Sequence, residues 1–362
     1  MKKIVIVAGD KSGDLYGGFL SKKLKELFKD KIELYSFGGS YLKENSHQII
    51  NLLDYSVSGI FEVVFTFKKI LSIFKRTMLG IEEINPDLII LIDFPDFNLR
   101  LAQKINKRYP IFYYVSPQVW AWRKKRIETI RKYIERLIVI FKFEKEFYSQ
   151  YGIETLYFGH PLLEIIKVKN IKPRKVITFL PGSRINEIKN HLPLMIKTKN
   201  ILKNQLPDYN FRIIRAENIP SHFYKKFMDK DTEIIEHSYQ LLEESEFIIT
   251  SSGTATLEIA ILEVPFCVIY RLNPISWLIL RNIVNIPYIA MANIVGERKI
   301  VQEFTQYQAN PKNLAHYTLK ILKDKKIYQN LKEGLKQVKE QLLPFGAAQN
   351  IAKYIGNFLN LP

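Results

Sequence analysis

The residues best placed for chemistry form the string Phe-Ile-Ile-Thr-Ser-Ser-Gly-Thr-Ala-Thr-Leu-Glu at positions 247–258. An apolar run that reads as a buried strand ends in small hydroxyl residues, Ser252 and Thr254, on either side of Gly253, and a helical pattern begins there. Such a turn leaves backbone N–H groups and the positive end of a helix dipole where an anion can sit. Glu258 falls just over one helical turn beyond Gly253, from where its carboxylate can accept hydrogen bonds from a ribose diol. An anion site and a sugar-binding carboxylate on one strand–turn–helix unit suit a nucleoside-diphosphate ligand. A capped helix, with Ser252 or Thr254 as no more than the N-cap, fits the same string equally well.

A second string of this kind is Leu-Pro-Gly-Ser-Arg at 180–184. Gly182 lets the backbone approach a ligand closely, while Ser183 and Arg184 can hold a phosphate oxygen by charge-assisted hydrogen bonds. A tight turn with a solvated Arg184 is the plain alternative, but two phosphate-type turns in one half-chain are harder to dismiss than one. Asp-Phe-Pro-Asp-Phe-Asn at 93–98 sets two carboxylates and an amide at a strand end. Asp96 reads as the cap of a helix starting near Asn98. Asp93 is less easily explained that way; a carboxylate at the tip of a buried strand, its pKa raised by burial, suits a general base.

The string Ser-Pro-Gln-Val-Trp-Ala-Trp-Arg-Lys-Lys-Arg at 116–126 holds two of the chain's three tryptophans and four cations. Indoles and cations could stack bases and hold the phosphates of a nucleic acid, and the same parts serve a sugar phosphate. A helix start with a solvated basic face is the plain alternative. These cations sit at strand tips beside a carboxylate pair, not in a uniformly basic stripe, so nucleic acid is not expected as a partner.

The elements that must position these residues alternate strand and helix. Apolar runs at 3–8, 32–37, 88–92, 111–115, 137–141 and 155–158, each ending in polar or Gly residues, form a first series. Runs at 176–180, 211–214, 247–250 and 266–269 form a second, after a basic, Pro-containing linker at 167–175. The expected architecture is α/β, with two doubly wound Rossmann-like domains, 1–166 and 176–344, facing a cleft. Ligands of such sheets bind beyond the carboxyl ends of the strands, where all the strings above fall.

Composition sets the outer limits. A chain of 362 residues, 47% hydrophobic and 25% charged, is long enough for two cored domains and is not disordered. The lone Cys267 follows an apolar stretch, allows no intrachain disulfide and fits a reducing cytoplasm. The N-terminal apolar run is too short for a signal peptide and reads as the first strand. A net charge of +18 attracts anionic lipid, phosphorylated substrates or nucleic acid alike. No uncharged apolar run reaches the length of a membrane span. Residues 57–76 place apolar side chains at 57, 60, 61, 64, 67, 71 and 74, widened by Phe65, Ile70 and Ile73 and flanked by Lys68, Lys69, Lys75 and Arg76. A core helix is the default; a helix dipping into an anionic membrane through Phe61, Val64 and Phe67 is the competitor. The histidines and acidic pairs lack metal-site spacing, so no metal and no cofactor is expected.

In this order the strings resemble the lipid-A-disaccharide synthase family, bacterial glycosyltransferases of the GT-B type. The match runs through Ala-Gly-Asp-Lys-Ser-Gly-Asp (8–14), 93–98, Tyr-Val-Ser-Pro-Gln-Val-Trp-Ala-Trp-Arg (114–123), Phe-Glu-Lys-Glu-Phe-Tyr (143–148) and Phe-Gly-His-Pro-Leu (158–162). It continues through 180–184 with Glu187, 251–258, and Asn293 ahead of Gly-Glu-Arg (296–298). Each string alone is weak and the ordered set is strong; one departure is Asp10, where members often carry Glu. The resemblance implies inverting transfer from UDP-2,3-diacylglucosamine to 2,3-diacylglucosamine 1-phosphate, giving the β-1,6-linked lipid A disaccharide 1-phosphate and UDP. Another GT-B enzyme using UDP-N-acetylglucosamine, of the peptidoglycan glycosyltransferase or 2-epimerase type, is the alternative.

Under this reading Asp93 and Arg184 are the expected catalytic pair, and Ser183, Arg184, Ser252, Gly253, Thr254, Glu258 and Asn293 hold the UDP-sugar. Asp10, Ser12, Gly13, Asp96, Ser116, Gln118, Trp120 and Arg123 lie on the acceptor side. Acylated substrates imply work on the cytoplasmic face of the inner membrane as a peripheral protein. The resemblance also implies a tail at about 345–362 packing back on the first domain, and allows a homodimer with C-terminal exchange.

Overall fold

The computed structural model describes residues 1–55, 63–217, 219–227, 232–272 and 287–362, with backbone alone over 63–68. Phe61 and the side chains of Val64 and Phe67 lie outside the described residues. The chain divides into two units, Met1–Glu164 with Leu342–Pro362, and Ile165–Gln341.

In the first unit the apolar runs become strands because they are buried on both faces: Leu88–Ile92 (Leu-Ile-Ile-Leu-Ile) has no exposed residue. The strands are β1 Lys2–Ala8, β2 Ile32–Phe37, β3 His47–Ile50, β4 Leu88–Ile92, β5 Ile111–Tyr114, β6 Arg136–Val139 and β7 Thr155–Tyr157. All pair in parallel, in the order β3-β2-β1-β4-β5-β6-β7. The second unit adds β8 Arg174–Leu180, β9 Asn210–Arg215, β10 Glu233–Glu236, β11 Ser245–Ser251, β12 Phe266–Tyr270 and β13 Gln302–Thr305. They too are parallel, in the order β10-β9-β8-β11-β12-β13. Both orders reverse direction once, between β1 and β4 and between β8 and β11. Doubly wound sheets open their ligand crevice at such a switch point.

Four sequence expectations need correcting. The edge strands β3, β10 and β13 were not foreseen, because His-Gln-Ile-Ile, Glu-Ile-Ile-Glu and Gln-Glu-Phe-Thr are short and polar, as edges are. The segment 167–175 is no free linker: Glu243 accepts from the backbone N–H of Lys169 and Ile171, and β8 already begins at Arg174. The helix after β4 is Pro95–Ile105, three residues earlier than the expected start near Asn98, with Pro95 at its first position, where a missing N–H is harmless. Asp96 therefore lies inside the first turn and does not cap it.

The helix Val63–Ile84 serves two masters. Ile73, Thr77, Ile81 and Ile84 face the core, whereas Ile70, Leu71 and Leu79 are exposed among Lys69, Lys75 and Arg76. At the other end of the chain, the helix Ala347–Phe358 lies against the helix Lys11–Phe28, with the Phe358 and Tyr354 rings on Phe112 of β5. Among the described residues no helix is long and apolar enough to cross a membrane.

Candidate active site

Asp10 and Asp93 follow β1 and β4, the strands flanking the first switch point. Asp10 caps the helix Lys11–Phe28: its Oδ1 accepts from Gly13 N at 2.8 Å, so Gly13 and Ser12 shape the turn through their backbone. Burial raises the Asp10 pKa, and the N–H groups of Gly13, Ser12 and Phe94 pull it back. Asp93 is pushed up to about 7, first by burial and second by the neighbouring Asp10 carboxylate. Its backbone stands at φ 44° and that of Phe94 at φ 47°, two left-handed non-glycine residues in a row. What holds this conformation is a set of buried donors. Tyr113 Oη gives 2.6 Å and Asn98 Nδ2 2.8 Å to the Asp93 carbonyl, and Asp93 N donates to Tyr114 O. The backbone at the strand tip is thus fixed from below, and Asp93 remains partly exposed.

The tip of β5 carries the acceptor-side string. Ser116 is buried and its Oγ donates 2.7 Å to Glu144 Oε1, while Trp120 Nε1 donates 3.3 Å to the same oxygen. The other oxygen accepts from Ile140 N and Phe141 N. Ser116 and Trp120 therefore spend their donors inside the protein, and their part is to shape the loop. Gln118 on that loop is exposed. Asp96 is salt-bridged to Arg123 at 2.6 Å and also to Arg126, and both guanidinium groups lie over the Trp122 ring.

In the second unit the turns at 180–184 and 251–254 sit at the ends of β8 and β11, the strands flanking its switch point. Gly182 is at φ +122°, and a Cβ there would run into Glu187. That carboxylate forms a capping box: Oε2 accepts from Ser183 N (3.0 Å) and Arg184 N (3.3 Å), and Oε1 from Arg184 Nη1 (2.9 Å). These two backbone donors are thus already engaged. The Arg184 side chain, 74% exposed, still projects from the turn.

Gly253 is at φ +146° with open space where a Cβ would stand, so a ligand can approach the backbone there. Neither Ser252 nor Thr254 acts as a side-chain cap: Thr254 is at the N-cap position without a capping bond, and Ser252 Oγ donates to Ile289 O at 2.7 Å. Thr256 Oγ1 donates to Gly253 O and accepts from Met291 N. Glu258 lies one turn into the helix, 3.4 Å from His237 Nε2, with 16% of its side chain exposed.

Asn293 departs from the expectation. It is fully buried, its Nδ2 donates to Val301 O and Glu303 Oε1, and its Oδ1 accepts from Ile300 N and Val301 N. With all its hydrogen-bonding positions taken, it has nothing to offer a ligand. Together with Glu303, which accepts from Ile289 N and Ala290 N, it positions the segment that Ser252 and Thr256 grip.

Glu144, Tyr113 and Glu303 were not singled out by residue type, because each works through partners that only folding gathers, whereas Glu187, named with the 180–184 string, grips donors only three and four residues away. His160 is buried, accepts from Leu162 N at Nδ1, and its pKa is pushed down to about 3 by burial; it caps its loop.

Two units, each built on a doubly wound parallel sheet, have the fold of the GT-B class. Solved structures agree on the fold. The MnaA protein of S. aureus, solved with UDP, has a TM-score of 0.68 at 15% identity, covering 100% of this chain and 98% of that one. The glycotransferase of kitacinnamycin has a TM-score of 0.67 at 14% identity, covering 98% of each chain.

Sequence comparison goes further than fold. The lipid-A-disaccharide synthetase family matches residues 4–352. A lipid-A-disaccharide synthase of Coxiella burnetii (strain CbuG_Q212) is 31% identical over 372 residues, covering 99% of both chains. The chain belongs to the lipid-A-disaccharide synthase family. Its activity is glycosyl transfer in lipid A disaccharide synthesis, from a sugar-nucleotide donor to a phosphosugar acceptor, and the epimerase-type alternative is not favoured.

Proposed function

We propose that the donor is UDP-2,3-diacylglucosamine, the acceptor 2,3-diacylglucosamine 1-phosphate, and the transfer a direct inverting displacement. The acceptor 6-hydroxyl oxygen attacks the anomeric carbon, its proton passes to the Asp93 carboxylate, and the bond from that carbon to the UDP oxygen breaks with its electron pair leaving on UDP. The observation that carries this reading is Asp93 itself: a carboxylate held at a switch-point strand tip, with a pKa pushed up to about 7, is poised to take a proton near neutral pH.

The donor diphosphate is assigned to the open backbone at Gly253, flanked by Ser252 and Thr254, and to the Arg184 side chain near Ser183, where positive charge stabilises the leaving group. Glu258 would take the ribose. Replacing Glu258 with Ala should weaken UDP binding by about 1.5–3 kcal/mol, the worth of hydrogen bonds to a charged group. Calorimetry with UDP tests this, and unchanged affinity would remove Glu258 from the site. Asp10, Ser12, Gly13, Gln118, Arg123 and the loop held by Glu144 shape the acceptor side.

Both proposed substrates carry acyl chains, and each CH₂ taken from lipid into water costs about 0.8 kcal/mol, which favours work at a membrane surface. The cytoplasmic face of the inner membrane is the proposed location. Support comes from Ile70, Leu71 and Leu79, exposed beside Lys69, Lys75 and Arg76 on one helix. The homodimer with C-terminal exchange would swap the helix Ala347–Phe358 between protomers; light scattering tests it through the molar mass.

A further inference from the structure

His191 is buried in the first half of the helix Ile185–Gln205, and the reaction makes no use of it. Its ring makes two hydrogen bonds: Nδ1 with Pro181 O at 2.9 Å and Nε2 with Arg271 N at 3.1 Å. A backbone N–H can only donate, so Nε2 is the bare nitrogen, and Nδ1 carries the hydrogen given to Pro181 O. Both partners lie immediately beyond strand ends, Pro181 after β8 and Arg271 after β12. In the sheet these two strands stand on either side of β11, whose own end is the Ser252-Gly253-Thr254 turn. The imidazole thus ties the two neighbouring strand tips together past the tip between them, a separation of about 10 Å between β8 and β12 at ordinary strand spacing. Asn190, the preceding residue, donates to Arg271 O at 3.4 Å, so both backbone polar groups of Arg271 are held by this helix.

We infer that His191 is a positioning residue for the donor site: it fixes in advance the turn that carries Ser183 and Arg184 and the β12 end beside the Gly253 turn. The inference rests on the donor-site reading above and deepens it. Pro181 has no N–H of its own, so its carbonyl is the handle by which the turn can be gripped, and Glu187 grips the turn from its other side. A turn ordered before the ligand arrives spares the ligand the cost of ordering it. Only a neutral ring can make both bonds, and burial holds the His191 pKa below the ordinary 6.5. The charged groups facing it are Glu187 from its own helix and Arg271 from the β12 end.

The test uses three variants of the full chain. His191→Leu removes both bonds at similar volume, His191→Asn can keep the one to Pro181, and His191→Gln can keep the one to Arg271. UDP is the probe, its Kd measured by calorimetry, alongside amide exchange at Arg271 and thermal unfolding without ligand. His191→Leu should raise the Kd for UDP by about five- to tenfold, the worth of a lost hydrogen bond in net terms, and should speed exchange at Arg271. The Asn and Gln variants should fall between it and the parent, with Arg271 exchange kept slow in the Gln variant alone. A folded His191→Leu protein that melts lower yet binds UDP like the parent overturns the inference, since the ring would then be core filling. Should the Leu variant not fold, Asn and Gln variants that both bind UDP at parent affinity overturn it equally. Failure of the donor reading looks different: Glu258→Ala would then bind UDP like the parent, while Arg271 exchange still reports on the brace.

Discussion

At the scale of single residues, two carboxylates, Asp10 and Asp93, lie near each other at one switch point. Asp93 gains its raised pKa from burial and from the adjacent Asp10 charge, so the two titrate as a pair. With Asp93 as the base, kcat/KM should rise with pH through an inflection near about 7, and Asp10→Asn should move that inflection down, because a neighbouring negative charge is removed. An inflection unmoved by Asp10→Asn would separate the two groups. Asp93→Asn should lower kcat by about 10²–10⁴. The same shift fixes a stability effect. Between the ordinary 3.8 and about 7 the folded state binds a proton that the unfolded state has released, so the raised pKa takes stability away as pH rises through that window. Asp93→Asn should therefore be more stable than the parent in urea at pH 8, a gain that vanishes below pH 4. Asp93 was legible in the sequence because a carboxylate ending an apolar run is not easily explained as a cap. Glu144 was hidden: its four donors come from the segments after β5 and β6, and no spacing announces that they meet.

Elements deliver these residues through strained strand tips. Val115, a β-branched residue, stands at φ 62° just beyond β5, and Arg123 at φ 55° closes the same loop. The buried Glu144 carboxylate, its pKa raised to about 7 by burial, is the anchor that holds this loop down. Glu144→Ala would leave buried N–H and O–H groups unpaired and should cost about 2–4 kcal/mol in urea unfolding. An unchanged midpoint would mean that the loop is held by other contacts. The central strands were readable as near-continuous apolar runs, because parallel strands are buried on both faces. The edge strands β3, β10 and β13 were not, since they are short and polar and the sequence signal falls to that of a loop. The turns at Gly182 and Gly253 were placed correctly beyond their strands, whereas the Glu187 capping box changes which of their donors remain for a phosphate.

For the molecule as a whole, a charge of +18 is consistent with lipid A chemistry at an anionic surface. Each Lys or Arg near such a surface contributes about 1 kcal/mol, screened beyond roughly 8–10 Å at physiological salt. Replacing Ile70, Leu71 and Leu79 with Ser should release the protein from anionic vesicles while sparing UDP binding, because these side chains are exposed and their loss leaves the core intact. Vesicle binding that survives both these changes and high salt would place the membrane contact elsewhere on the chain. The proposed acyl-sugar substrates were never legible in composition or spacing; that proposal rests on the ordered set of strings. The central claim is that Asp93 drives transfer between two acylated sugars, and UDP release measures it most directly. With both diacylated substrates present, the parent should release UDP and Asp93→Asn should lose about 10²–10⁴ of that rate. Omitting either substrate should abolish release. UDP released without the acceptor, or at full rate by Asp93→Asn, would contradict the account.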